Sequence, residues 1–271
     1  LLLSAAALLL FLLFTLLLIP DRLLLDSANN LLAREGLSLT AASFSKKLPL
    51  GIKGKGWELS SQNGQLLKLD NATLSIQLLP LVAGQVRISL DAALGGGKIA
   101  GRFSLLKAPF CKLSIKGIQL EHIPFFSTVA NTRAAGILNA EIDLTGSGQK
   151  AEGYLKLDAQ GVDLKGIKLG EMPLPDATYK TVQGMMRVSK GMSRLESLTL
   201  QGDGLYARLK GNIPQANPLS ASQLDLTLEL MPKPELLEKQ KFIFLLLTKY
   251  LDTPGHYQIP IRGTLGKPLM E

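Results

Sequence analysis

The stretch SQLDLTLEL, residues 222–230, alternates polar and apolar side chains without a break. On a strand, whose side-chain period is two, Leu224, Leu226, Leu228 and Leu230 share one face. One greasy face and one wet face is the pattern of an antiparallel sheet solvated on one side. The reading then turns on what lies against the leucines, another layer of protein or something that is not protein.

The same period extends outward along most of the chain. Leu74, Ile76 and Leu78 alternate with Thr73, Ser75 and Gln77; Val86, Ile88 and Leu90 alternate with Gln85, Arg87 and Ser89. Leu113 and Ile115 sit between Lys112, Ser114 and Lys116, and Ile142 and Leu144 between Glu141, Asp143 and Thr145. Leu205, Ala207 and Leu209 alternate with Tyr206, Arg208 and Lys210. Turn signals fall between these runs at Gln62-Asn63-Gly64, Gly95-Gly96-Gly97, Gly146-Ser147-Gly148, Gly202-Asp203-Gly204 and Asn212-Ile213-Pro214. Their spacing predicts about ten or more strands joined by hairpins.

Two segments depart from the period. HIPFFSTVANTR, residues 122–133, reads as a short helix opening at Pro124. Residues 232–252 read as a helix preceded by Pro232 and Pro234, with Leu236, Ile243, Leu247 and Tyr250 on one face. Lys239, Lys241 and Lys249 argue against that helix crossing a membrane. HYQIPIRGTL then supplies a last strand.

The N-terminal sequence is of another kind. LLLSAAALLLFLLFTLLLIP, residues 1–20, has no charged side chain and the length of a membrane-crossing helix. A signal peptide has a shorter apolar core followed by a small-x-small cleavage site. Here the apolar run is longer and passes straight into Asp21 and Arg22, so an uncleaved anchor is expected. Residues 21–36 follow as an amphipathic helix with Leu24, Leu25, Ala28, Leu31 and Leu32 on one face, ended at Gly36. The flank carries Arg22 and Arg34 against Asp21, Asp26 and Glu35, a balance compatible with translocation of the remainder.

Composition narrows the chemistry. A chain of 271 residues, 46% hydrophobic with a formal charge of +8, suits one large domain or two small ones. Its basic residues are scattered singly without interleaved aromatics, so nucleic acid is not an expected partner. The single cysteine, Cys111, rules out an intramolecular disulfide and any multi-cysteine metal site. His122 and His256 have no metal-ligand spacing or nucleophile motif near them. Gly95-Gly96-Gly97-Lys98 is followed by Ile99 and lacks the phosphate-loop pattern, and Asn71-Ala72-Thr73 matches a glycosylation tripeptide inside a predicted strand. Trp57 is expected to pack, and Asp225 and Glu229 to be solvated on a polar face. No catalytic residue, metal or cofactor is expected.

What needs explaining is the sheet, whose apolar face exceeds what two short helices can cover. Folding the sheet over itself is one solution. The other is a curled trough whose apolar lining comprises Leu74, Ile76, Leu78, Val86, Ile88, Leu90, Leu113, Ile115, Ile142, Leu144, Leu205, Leu209, Leu224, Leu226 and Leu228. Acyl chains suit such a lining, because apolar burial is unspecific and stabilises by about 0.8 kcal/mol per methylene.

The layout of anchor, amphipathic helix and then LDNATLSIQLLPLVAGQVRISLDAAL resembles the start of AsmA-like proteins of Gram-negative envelopes. The end of the chain, ELLEKQKFIFLLLTKYL followed by GHYQIPIRGTLGKP, resembles the type II secretion system protein N family. That resemblance implies a mainly β fold: an N-terminal transmembrane helix (1–20), the amphipathic helix (21–36), and a long curled antiparallel sheet with a few short helices (37–271), an AsmA-like half-barrel or groove. It also implies a single-pass inner-membrane protein with a periplasmic domain, serving as a non-catalytic accessory or assembly component among type II secretion subunits. The alternative it carries is a lipid-binding or intermembrane lipid-transfer protein with phospholipid in the groove, and an envelope enzyme is the remote third reading.

Overall fold

The computed structural model describes residues 29–30, 32–33, 36–48, 50–104, 108–169, 172–216 and 219–271. The expected anchor at 1–20 lies outside these residues, as does most of 21–36. Residues 29–30 and 32–33 are helical, and Gly36 takes the left-handed φ of 71° expected of a residue ending a helix. Among the described residues no helix is long and apolar enough to cross a membrane.

From Leu37 on, the protein is a 15-stranded antiparallel sheet that does not close. In chain order it comprises β1 (Leu37–Lys47), β2 (Gly51–Ser61), β3 (Gly64–Ile76), α1 (Leu78–Val82), β4 (Arg87–Leu94), β5 (Gly97–Ser104), β6 (Phe110–Gln119), α2 (Pro124–Thr128), β7 (Arg133–Thr145) and β8 (Glu152–Lys165). There follow a small hairpin of β9 (Lys168–Leu169) and β10 (Met172–Pro173), then β11 (Ala177–Ser189), β12 (Met192–Gly202), β13 (Leu205–Pro214), β14 (Asp225–Pro232), α3 (Pro234–Lys239), α4 (Lys241–Leu246), β15 (Leu251–Thr253), β16 (His256–Thr264) and β17 (Lys267–Met270). Each strand of the main sheet from β1 to β14 pairs with the next one in the chain, passing over the β9–β10 hairpin. Local pairing of this kind follows from alternating strands linked by short turns.

Because the strands alternate in direction, their connections fall at two ends. One end receives Leu37 and carries the turns at 62–64, 95–96 and 203–204, α2, the β9–β10 hairpin and the α3–α4 segment; the other carries α1 and the remaining connections. Asn29 fastens the entering chain at the first end. Its amide donates to Leu39 O at 2.8 Å and accepts from Leu39 N at 2.6 Å, imitating a neighbouring strand at the edge of β1. The sheet is flexed along its C-terminal half, where β9, in the separate hairpin that follows β8, lies against β17 although β11 to β16 stand between β8 and β17 in the main sheet.

Three expectations are corrected. Leu78 does not extend β3 but opens α1, because Pro80 two residues on has no N–H for a ladder. Asn212-Ile213-Pro214 is not a turn: these residues end β13 opposite Arg194, Ser193 and Met192, a strand end where a missing N–H is tolerated. The helix over 232–252 is broken into α3, α4 and a 3₁₀ turn at Thr248–Tyr250, and its end becomes β15. The break falls at Gln240, whose amide donates to Asp176 O at 2.6 Å and accepts from Asp176 N at 3.0 Å. The intended face survives: Leu247 and Tyr250 are buried, with Leu236 and Ile243 packed against the same core.

Candidate functional site

Strand registry aligns the apolar residues into rows that cross the sheet. One row runs Ile52, Leu74, Leu90, Gly101, Leu113, Ile142, Leu155, Met186 and Leu195 over β2 to β12. A second lies two residues to one side, through Ile76, Ile88, Phe103, Cys111, Leu144, Gly153 and Val188. A third, on the other side, runs from Phe44 through Gly54, Ala72, Ala92, Ile99, Ile115, Ala140, Leu157, Gly184, Leu198 and Leu209 to Leu228 and Ile259. With strands about 4.8 Å apart, the part between β2 and β7 is about 24 Å across.

Small residues recur in these rows, and their larger neighbours lean over them. A Cβ built on Gly101 would collide with the Leu113 side chain, and one on Gly184 would meet Leu157 Cγ at 2.9 Å. Gly54 lies under Trp57, whose Nε1 would be 2.8 Å from an added Cβ. Side chains on the inside of a bend are crowded, so glycine and alanine here allow the sheet to flex toward its apolar face.

The opposite face is laced with cross-strand ion pairs: Lys68 with Glu58 at 2.9 Å, Lys112 with Asp143 at 2.8 Å, Arg187 with Glu196 at 2.6 Å, Lys210 with Glu229 at 2.6 Å and Arg262 with Asp225 at 3.0 Å. Its partner Lys68, by hydrogen bond and charge, holds the Glu58 carboxyl below its usual range, and Lys180 does the same for Asp203. A depression of about 660 Å³ over β4–β7 also lies on this polar face, bordered by Asp91, Arg102, Lys112 and Asp143.

Burial divides the apolar face into three parts. In the C-terminal half the rows are sealed: Leu205, Leu224, Leu226, Leu228 and Leu230 are buried with Tyr257, Ile259 and Ile261, and Phe244, Leu247 and Tyr250 from the α4 segment belong to the same cluster. The four leucines of the SQLDLTLEL strand thus face protein, and Leu209 packs against the same core. Near the N-terminal edge a small second cluster gathers Trp57, Ala72 and Ala92, with Leu90 and Ile99 beside it. Phe44 meets the Trp57 ring edge-on at 5.5 Å, so Trp57 packs as expected.

Between the clusters the face is half-buried and belongs to neither cluster. Leu74, Ile76, Ile88, Leu113, Ile115, Ile142 and Leu144 lie there, with Leu90 at its border; Val86 is half-buried in the connection before β4, and Leu78 in α1. Phe103, Leu155 and Met186 complete this face, with Ile52 at its border beside the Trp57 cluster, though sequence reasoning did not single them out. Phe103 and Leu155 were legible, since Ile99-Ala-Gly-Arg-Phe103 and Leu155-Lys-Leu157 keep the period; Met186 was not, because Met185 beside it points to the other face. Cys111 sits in the second row between Phe103 and Leu144, and burial pushes its thiol pKa up.

The histidines stand apart from this face. His122 is exposed beside the Gly95 turn, while His256 Nδ1 is 3.3 Å from Asp252 Oδ2. Comparison with protein-family models, with curated proteins and with solved structures gave no match to this chain.

Proposed function

We propose that the protein is a membrane-anchored, non-catalytic envelope module whose apolar trough holds lipid acyl chains, with its β-rich domain in the periplasm. The observation that carries this reading is the half-buried apolar face that belongs to neither of the two buried clusters. Contiguous apolar surface left open on a folded domain marks a binding site. Its span of about 24 Å exceeds the roughly 15 Å that one leaflet contributes to a hydrocarbon core. Its chemistry is unspecific: Leu, Ile, Phe and Met side chains with no converging polar group among the three rows, which suits a hydrocarbon tail and leaves the headgroup outside.

The test is photo-crosslinking in cells. A benzophenone amino acid in place of Ile142 is expected to yield adducts of phospholipid mass, whereas the same probe in place of Lys112, on the polar face, is expected to yield none. Equal yields at the two positions, or none at Ile142, contradict the reading.

A second reading, an assembly component of a type II secretion apparatus, draws on the outer edge of β1. That strand has 11 residues and one hydrogen-bonded neighbour in the sheet, β2. An open edge is a template for strand addition by a partner. A crosslink scan along β1 should then recover secretion subunits from an actively secreting strain, and recovery of none contradicts it.

A further inference from the structure

The end of the sheet that receives the N-terminal segment also carries an apolar patch facing away from the core. Phe242, Leu245 and Leu246 occupy positions i, i+3 and i+4 of α4 and so share one side of it. Phe242 is 72% exposed and Leu245 65% exposed, while Phe244 and Leu247 on the other side are buried in the C-terminal cluster. The segment therefore has two apolar sides, and only one serves the fold. Lys239, Lys241 and Lys249 flank this patch in the chain and are exposed, as are Glu235 and Glu238 on α3.

We infer that this patch is a membrane-docking face that seats one end of the sheet on an anionic lipid surface. The geometry points to lipid for two reasons. The uncharged stretch at 1–20 joins the sheet at this same end, and the nine residues from Pro20 to Asn29 reach at most about 30 Å. A bilayer holding that stretch therefore lies within that distance of the first end of β1, and α4 stands at the same end of the strands, eleven strand positions along the sheet, so the face it shares with β1's entry is turned to the same bilayer. Aromatic and leucine side chains flanked by lysines are also the composition of a segment lying in a headgroup layer, where apolar burial adds to attraction for anionic lipid. With six residues, α4 lies on such a surface and does not cross it.

The inference shares the membrane anchor with the proposed function but not the lipid-filled trough: failure to float counts against both, whereas equal quenching in a chain that floats overturns the docking face alone. Single cysteines replacing Leu245 and, at the opposite end, Leu79, which is 88% exposed, would carry a fluorophore in a Cys111→Ser background. The whole chain is reconstituted into vesicles of phosphatidylethanolamine and phosphatidylglycerol containing headgroup spin-labelled lipid. The expected result is several-fold stronger quenching at 245 than at 79. Phe242→Glu with Leu246→Glu should abolish the difference, and each lysine of the three changed to Gln should weaken docking about fivefold. Equal quenching at the two positions, quenching at 245 indifferent to these changes, or failure of the chain to float with the vesicles overturns the inference.

Discussion

Trp57 and Gly54 show how one missing side chain sets a neighbour's place. The indole covers the glycine so closely that any Cβ would displace it, and Phe44 closes the other side. Gly54→Val is expected to push Trp57 outward. Because the chain has one tryptophan, its emission should shift to longer wavelength in the folded protein. An unshifted spectrum contradicts the contact. Tyr179 offers a second residue-scale test. Burial alone pushes its phenol up to about 12, above the ordinary value of 10.0. The unfolded chain therefore loses this proton first as pH rises. The stability that neutral Tyr179 contributes is complete below pH 10, and it is lost between pH 10 and 12. Titration by ultraviolet absorbance should show a late-ionising phase near pH 12 that Tyr179→Phe removes, and the same change should flatten that alkaline loss of stability.

At the scale of elements, the rows predict which leucines hold the fold and which do not. Leu228 is buried under the C-terminal core, so Leu228→Ala is expected to cost about 3 kcal/mol. Leu113 is half-buried outside both clusters, and Leu113→Ala should cost only about 1.5 kcal/mol. Equal losses in chemical denaturation would mean that both parts of the sheet are ordinary core. The same contrast governs which substitution can probe lipid. Leu226 looks like a lining residue in sequence, but it lies in the core, and a charge there would unfold the domain before it emptied a trough. The alternating period was readable because an antiparallel strand repeats every two residues, and most glycine turns were readable for the same local reason. What covers each row was not readable, since it depends on where α4 lands, and α4 is placed by the Gln240–Asp176 clip across 64 residues of sequence. The uncovered part of the face was visible in Leu113 and Ile142 as alternation, yet nothing in those strands distinguishes them from Leu226 and Leu228.

At the scale of the whole molecule, the sheet is a single layer whose apolar side is closed by protein at one end of the strand order and left open in the middle. The open part includes Cys111, which makes the chain's one thiol an occupancy sensor. Acyl chains are proposed to occupy the half-buried face that neither cluster covers. The most direct measurement of that occupancy is native mass spectrometry of the full chain released from detergent, comparing the wild type with Leu113→Glu and with the polar-face change Lys112→Gln. Stoichiometric phospholipid is expected on the wild type and on Lys112→Gln, with its loss from Leu113→Glu and faster reaction of Cys111 with a polar thiol reagent once lipid is gone. A folded wild-type chain free of lipid, or lipid kept equally by all three, would contradict it.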